Sequence, residues 1–188
     1  MIEFLEETHT YLVNGIIVPS VSQILSATIF KDKYANIPKY ILNNKAQFGT
    51  NVHKAIETGY SEDLTFLEQL AYEQYKRLVR RFEIVPIEQE QLVHYEDLYC
   101  GTLDMVAKVD DILVIADIKT TYQLDEEYLS WQLSFYKYAY ERTGKTLHKA
   151  YCLWIPKKDI GQFVEVPFKT ENEVLELVKQ YENIQREN

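Results

Sequence analysis

Residues 101–121, GTLDMVAKVDDILVIADIKTT, contain two apolar runs that are separated by a short acidic turn. The second run, Ile112–Ile118, has the composition of a buried β-strand, and Asp110-Asp111 predicts a tight turn that pairs it with the first run. Charged side chains nevertheless lie in or next to these strands, at Asp104, Asp117 and Lys119. Burying a charge without a partner costs several kcal/mol or shifts its pKa. The stretch therefore predicts a strand pair whose charges either compensate one another or form a functional site.

The composition of the whole chain is typical of a soluble globular protein. Its 188 residues, 46% hydrophobic and 26% charged, predict one domain, residues 1–188, with a core of its own. No apolar run approaches the roughly 18 residues of a membrane span, so we expect no membrane association. The acidic start, MIEFLEETHT, lacks the basic and then apolar pattern of a secretory signal, and we expect a cytoplasmic protein.

Charge and cysteine content restrict the partners and cofactors. The formal net charge of −9 argues against tight non-specific DNA binding, because phosphate contacts normally need a basic surface. It does not exclude phosphodiester chemistry, since carboxylates that hold divalent cations present positive charge to a substrate. The two cysteines, Cys100 and Cys152, are too few for a four-thiolate cluster, so we predict no iron–sulfur cluster.

The first part of the chain, residues 1–82, predicts a hairpin followed by helices. The predicted elements are, in chain order, a hairpin that turns at Asn14-Gly15, a short helix capped by Ser20, two helices around 38–48 and 51–59 separated by Gly49-Thr50, and a long amphipathic helix from Ser61 to about Arg81.

The remainder predicts a β-sheet with a crossover helix, residues 83–168, and a C-terminal helix, residues 170–188. The predicted elements are, in order, three strands of a meander (83–95, 98–109 and 112–120), an aromatic helix over about Asp125–Arg142, two further strands (148–156 and 161–168), and a last helix that begins with capping-box spacing at Thr170. This order predicts an α/β fold with a central mixed β-sheet flanked by helices on both faces.

The charges of residues 101–121 can meet at one end of this sheet. Side chains alternate along a strand, so Asp117 and Lys119 share a face, and the turn brings Asp104 close to Asp117. Two adjacent carboxylates repel unless a cation lies between them, and oxygen ligands of this kind suit Mg²⁺ or Mn²⁺. The alternative is an ordinary surface ion pair.

Three further features could join this site. His53 falls in the first turn of its predicted helix, where the helix dipole would keep the ring neutral and able to bind metal, although such a histidine is often structural. Glu88 and Glu90 are predicted to project from one face of their strand, for which simple solvation is the alternative. Gln132 and Tyr136 share a helix stripe with core leucines, which indicates either a polar site or plain core packing.

The order of these residues resembles the motif of the PD-(D/E)xK nuclease superfamily. The matching positions are His53, Glu90, Gly101-x-x-Asp104, Asp117-x-Lys119 and Gln132-x-x-x-Tyr136. Within the superfamily, the sequence is most similar to the RecB-like exonuclease branch, including phage-type recombination exonucleases, and the opening HTYLVNGIIVPSVSQIL resembles the N-terminal hairpin and helix of phage members. The resemblance extends from about His9 to Tyr140 and implies a restriction-endonuclease-like core.

The resemblance implies a metal site and a catalytic lysine. Asp104 and Asp117 would bind the catalytic Mg²⁺ or Mn²⁺ with the help of the Ile118 carbonyl, and His53 would be an additional ligand. Lys119 would position or help deprotonate the attacking water and would stabilise the pentavalent phosphate.

The remaining motif residues would support that centre. Glu90 resembles the upstream acid of the family, and Glu88 is its rival because the spacing to Gly101 is elastic. Gln132 and Tyr136 would orient the site and contact the DNA backbone.

The implied function is metal-dependent hydrolysis of DNA phosphodiester bonds, most simply by an exonuclease in recombination or end processing. A structure-specific endonuclease could use the same site. A non-catalytic module that binds DNA or protein is the alternative from another class, and the presence of both Asp104 and Lys119 argues against it.

The acidic charge points to a ring-shaped homo-oligomer or a recombination partner protein, and a phage-encoded protein would act in the bacterial host cell. One basic helix face could contact phosphates or be merely solvated: Lys76, Arg77, Arg80 and Arg81.

Overall fold

The computed structural model describes residues 2–5, 8, 10–31, 33, 37–59, 62–157 and 159–187. The strands are β1 (Ile2–Leu5), β2 (Thr10–Val13), β3 (Ile16–Val18), β4 (Val85–Tyr95), β5 (Tyr99–Val109), β6 (Ile112–Lys119), β7 (Lys149–Trp154) and β8 (Gln162–Val166). The helices are α1 (Val21–Ala27), α2 (Lys39–Thr58), α3 (Phe66–Arg81), α4 (Glu126–Glu141) and α5 (Glu171–Glu187).

The central sheet has five strands in the order β4-β5-β6-β7-β8. The first three form an antiparallel meander, α4 crosses over, β7 pairs parallel to β6, and β8 returns antiparallel. The β5–β6 turn lies at Asp110 and Asp111, whose φ angles of 49° and 61° are in the left-handed region that aspartate tolerates. Because β6 and β7 are parallel, their carboxyl ends lie at the same edge of the sheet, and this edge holds the candidate site.

Helices cover both faces of the sheet, which confirms the predicted α/β fold. On one face, side chains of α1, α4 and α5, such as Ile24, Leu129 and Leu177, pack in one core with Ile115 of β6. On the other face, α2 and α3 pack on the side of β6 that Val114 occupies. Full burial of such an aliphatic side chain stabilises the fold by about 1.5–3 kcal/mol. None of the described helices has the length and apolar composition needed to span a membrane.

A separate sheet, in the order β1-β2-β3, covers the strands that lead to the site. Its turn lies at Asn14 and Gly15, both at positive φ, as the hairpin prediction requires. Its inner face packs on Cys100 of β5, and the Tyr11 hydroxyl lies 3.2 Å from the Thr102 hydroxyl. The predicted cap of α1 is also present, since Ser20 and Gln23 form a reciprocal capping box.

The prediction of two helices around Gly49-Thr50 is wrong, because residues 39–58 form the single helix α2. A glycine inside a helix costs about 1 kcal/mol relative to alanine. That cost is offset by a buried apolar stripe that continues across the glycine: Phe48, Val52, Ala55 and Ile56. The predicted end at Gly59 is present, with a left-handed φ of 69° and a hydrogen bond from its N–H to the Ala55 carbonyl.

The predicted start of the long amphipathic helix at Ser61 also needs correction. Ser61 lies outside the described residues, and α3 begins at Phe66 after the N-cap Thr65. The buried Glu68 carboxylate accepts hydrogen bonds from the Thr65 N–H and hydroxyl, at 2.8 and 2.6 Å, and thereby fixes the start of the helix. It also accepts one from the Asn51 amide at 2.8 Å, which links α3 to α2. At the last helix, Thr170 and Glu173 form the predicted reciprocal contacts.

Candidate active site

Three potential metal ligands converge where β4, β5 and α2 meet. One donor atom each of His53, Glu90 and Asp104 lies within 4.8 Å of the others, and this is the one such group among the described parts of the chain. The Nδ1 atom of His53 is 3.7 Å from Glu90 Oε1 and 3.7 Å from Asp104 Oδ2. All three side chains are half-buried, so the cluster is held by the fold and still reached by solvent. One imidazole nitrogen with carboxylate oxygens is a donor set that suits a divalent cation.

Two members of this cluster are fastened to the carboxyl end of β6 through the backbone of Ile118. The Ile118 N–H donates to Asp104 Oδ2 at 2.7 Å, and His53 Nε2 lies 2.9 Å from the Ile118 carbonyl oxygen. Side chains from β5 and α2 are thereby positioned against one peptide of the central strand. The Ile118 carbonyl, an expected metal ligand, lies in the site and faces His53; its role as a ligand stays a prediction.

The two glutamates of β4 do not share a face, contrary to the prediction. Glu90 has a φ of 46°, in the left-handed region, which breaks the side-chain alternation of the strand, and its carboxylate approaches His53. Glu88 instead accepts a hydrogen bond from the Tyr140 hydroxyl at 3.1 Å and pairs with Lys145. The geometry therefore favours Glu90 over Glu88 as the acid of this site.

Asp117 and Lys119 form a close ion pair at the end of β6. Lys119 Nζ donates to Asp117 Oδ1 at 2.8 Å. It also lies 2.7 Å from Oδ2, yet Oδ2 makes no hydrogen bond within the described structure. Asp117 is only 2% exposed. A carboxylate oxygen has two lone pairs, so Oδ2 can contact the Lys119 ammonium and still offer a lone pair to a metal ion.

The pKa values of this pair follow from burial and mutual attraction. Burial raises the pKa of Asp117 to about 6, although the Lys119 ammonium acts in the opposite direction. Burial would lower the pKa of Lys119, but the Asp117 and Asp104 carboxylates raise it above its ordinary value. At neutral pH the pair is therefore ionised, with an additional negative charge nearby on Asp104.

The predicted neutral state of His53 is wrong for the metal-free protein. His53 lies well inside α2 rather than in a first helical turn, so the dipole of a helix start does not act on it. Burial lowers the pKa of its imidazole, but the Asp104 and Glu90 carboxylates more than compensate and raise it to about 9. In the absence of a metal ion, a proton on His53 partly neutralises the acidic cluster.

Gln132 and Tyr136 of α4 lie beside these charges. Gln132 Nε2 donates to the Tyr136 hydroxyl at 3.4 Å, while the buried Gln132 Oε1 has no partner within the described structure. Burial raises the pKa of Tyr136 above its ordinary value, so its hydroxyl stays a neutral donor. The ring packs so closely on β5 that a Cβ atom on Gly101 would lie 2.7 Å from Tyr136 Cε1. The glycine of the Gly-x-x-Asp motif thus leaves room for the Tyr136 ring. The aspartate three residues later, Asp104, belongs to the cluster.

Two residues at this edge of the sheet were not identified from the sequence. Trp154 of β7 pairs in register with Lys119, and its indole N–H donates to the Thr121 carbonyl at 2.8 Å. Lys157, three residues further on, extends over the Phe48 ring of α2, with its Nζ 3.7 Å from the ring centroid. The signal in the sequence was the parallel β6-α4-β7 unit, because residues after β7 must emerge beside the end of β6.

Comparison with known proteins agrees with this geometry. Residues 62–187, more than half of the chain, match the family model described as the PD-(D/E)XK nuclease superfamily. The chain therefore belongs to that superfamily, whose members generally use divalent metal ions. The matched range includes the sheet and α4 with their motif residues, and His53 lies before it. Assignment to the RecB-like branch stays a prediction.

The remaining comparisons are more distant. No curated protein matches the sequence. The solved structure of a protein named SSO0001 is similar with a TM-score of 0.49 and 14% identity, over 89% of this chain and 76% of that one. A candidate exonuclease from Eubacterium rectale is similar with a TM-score of 0.46 and 14% identity, over 76% of this chain and 65% of that one.

Proposed function

We propose that this protein is a metal-dependent deoxyribonuclease that hydrolyses DNA phosphodiester bonds, and that it acts as an exonuclease in recombination or end processing. The observation that carries the proposal is the convergence of His53, Glu90 and Asp104 next to the Asp117–Lys119 ion pair. Membership of the nuclease superfamily supports a hydrolase that acts on nucleic acid.

The residues at the site fit a divalent cation. His53, Glu90 and Asp104 would hold it, and Asp117 Oδ2, which makes no hydrogen bond but contacts the Lys119 ammonium, would complete the donor set. The charges also fit: three carboxylates face Lys119 and a protonated His53, and loss of the histidine proton leaves two uncompensated negative charges. Mg²⁺ accepts oxygen ligands and Mn²⁺ also accepts imidazole, so both are proposed cofactors. When bound, such an ion polarises a phosphoryl oxygen and lowers the pKa of water.

The other side chains would orient the reacting groups. Lys119, which is 25% exposed, can turn part of its ammonium toward a water or a phosphate while it still contacts Asp117. A fixed positive charge at this position would stabilise the negative charge that develops on the phosphate. The neutral Tyr136 hydroxyl and the Gln132 amide offer hydrogen bonds beside it, and we propose that they orient the site and the DNA backbone.

The test is cleavage of end-labelled linear duplex and covalently closed circular DNA by purified protein with Mg²⁺, Mn²⁺ or EDTA. We expect degradation of the linear duplex with either metal ion and none with EDTA. The conservative Asp104→Asn variant should be inactive, because it removes a ligand charge at nearly constant volume. Equal degradation of the circle would overturn the exonuclease assignment and leave the nuclease; activity that persists in EDTA would overturn both.

A further inference from the structure

We propose that Lys157 is a substrate-positioning residue that binds a DNA phosphate at the rim of the active site. The inference rests on the proposed function, because it names a contact to the substrate of the same site. It is carried by the place of Lys157 at the carboxyl edge of the sheet and by the way its ammonium is held there.

The fold places Lys157 at the edge where β6 ends. The Ile155 N–H donates to the Lys119 carbonyl at 2.7 Å, so β7 leaves the sheet immediately beside Lys119. Two residues later, Lys157 turns to the face of the sheet that α2 covers and extends over Phe48. The same part of α2 touches the end of β6, since a Cβ atom on Gly49 would lie 3.5 Å from the Thr120 hydroxyl. Lys157 and His53 therefore flank the end of β6 from adjacent elements.

The ammonium of Lys157 is held in place and still has room for an anion. Its Nζ lies 3.7 Å from the centroid of Phe48, a distance at which the ring face attracts a cation. Phe48 is itself buried in the core on this face of the sheet. Lys157 is exposed and has no carboxylate within ion-pair distance among the described residues, although the buried Glu68 carboxylate of α3 attracts it from further away. Lys119 and Lys33, in contrast, are paired with Asp117 and Asp125.

The position of this exposed ammonium is better explained by a contact to a DNA phosphate than by stabilisation of the fold through Phe48 alone. A chain of net charge −9 needs local positive charge to bring a DNA strand to an acidic centre. The basic face of α3 does not supply it there, because Arg81 lies beside Val109 and Asp110, at the opposite end of β6. Lys157 provides the charge at the required end.

The test compares Lys157→Met with Lys108→Met, a control on β5 next to the turn at the opposite end of the sheet. Binding of fluorescein-labelled linear duplex is measured by anisotropy with Ca²⁺ over a range of salt concentrations, and cleavage kinetics are measured with Mn²⁺. We expect Lys157→Met to weaken binding roughly tenfold at about 0.1 M salt and to reduce the slope of log K against log salt by about 0.9. KM should rise while kcat is retained. Lys157→Arg should restore binding, and Phe48→Leu should have a smaller effect of the same sign.

The outcomes separate this inference from the proposed function. Cleavage by the wild type with equal salt slopes for Lys157→Met and Lys108→Met would overturn the phosphate contact and leave the nuclease. A reduced slope for Lys157→Met without cleavage by the wild type would support the contact and overturn hydrolysis. A fall in kcat with unchanged KM would also overturn the positioning role, because it would place Lys157 in the chemical step.

Discussion

The two ends of β6 have similar acidic residues in opposite environments. At the amino end, Asp110 and Asp111 are exposed and form the turn from β5. At the carboxyl end, Asp117 is 2% exposed and the Asp104 side chain 14%. The first pair keeps its hydration and shapes the backbone. The second pair has lost much of its water and has to be compensated by Lys119, by the proton on His53 or by a metal ion.

The comparison shows that desolvation, and not the number of acids, marks the candidate site. Around the Asp110-Asp111 turn, no ion pair of either aspartate and no metal-ligand cluster occurs among the described residues. Around Asp117, burial and like charge raise a carboxyl pKa, and an oxygen stays without a hydrogen bond. Groups arranged in this way store electrostatic free energy that a bound cation can release.

The largest expected effect tests the charge pair at the buried end. Lys119→Met should lower turnover by about 10²–10³, roughly 3–4 kcal/mol of transition-state stabilisation, because it removes one preorganised charge near the developing negative charge. Mn²⁺ binding, measured by calorimetry, should persist. Asp111→Asn at the exposed end is the control and should leave turnover unchanged. Wild-type rates in the Lys119 variant would show that the ion pair is only structural.

The second effect is the pH dependence of metal binding. A metal ion must displace the proton from His53, whose pKa of about 9 in the metal-free protein lies above its ordinary value. Mn²⁺ affinity should therefore rise by about tenfold per pH unit from pH 7 and level off near pH 9, about a hundredfold in all. Calorimetry in buffers of different ionisation enthalpy should detect close to one proton released at pH 7.

Folding stability should change with pH in the opposite direction to Mn²⁺ affinity: it should fall as pH rises. In EDTA, the raised pKa of His53 contributes stability that is complete below about pH 6.5 and is lost as pH rises through about 9. His53→Leu should abolish both the steep pH dependence of Mn²⁺ affinity and this loss of stability. A pH-independent Mn²⁺ affinity in the wild type would show that no proton is displaced from His53, and an unchanged Mn²⁺ affinity in His53→Leu would exclude His53 as a ligand.

The sequence predicted the parts of this site that depend on local periodicity. The alternation of β6 was enough to place Asp117 and Lys119 on one face, and the turn at Asp110-Asp111 was enough to bring Asp104 to the neighbouring strand. These predictions hold because the strand is buried on both faces and its register cannot slip without burying different side chains.

The other features depend on tertiary contacts that no local pattern encodes. The positive φ of Glu90 turns its side chain away from the face that Glu88 occupies and toward His53, and the alternating strand pattern gives no sign of it. The continuity of α2 across Gly49 depends on a buried stripe against α3 and the sheet, and it moved His53 away from a helix start. The contact between Lys157 and Phe48 could not be predicted from the sequence, because it depends on the parallel pairing of β6 and β7.

A third prediction extends the comparison to two glycines near the site. Gly101→Ala should destabilise the protein by about 1–3 kcal/mol, because the added Cβ would lie 2.7 Å from the buried Tyr136 ring. Gly49→Ala should stabilise it by up to about 1 kcal/mol, since it removes a glycine from a helix and its Cβ would make an ordinary 3.5 Å contact. Urea denaturation measures both changes. A neutral or stabilising Gly101→Ala would show that Tyr136 does not determine the residue at position 101.

The smallest expected effect decides between the two glutamates of β4. Glu88→Gln removes a contact with the exposed Lys145 and keeps an acceptor for Tyr140, so its melting temperature should stay within about 2 °C of the wild type and its Mn²⁺ affinity should not change. Glu90→Gln, the matched variant two residues away, removes one of the three clustered donors and should weaken Mn²⁺ binding. If Glu88→Gln weakened Mn²⁺ binding and Glu90→Gln did not, the left-handed φ of Glu90 would have misled the assignment, and Glu88 would be the acid of the site.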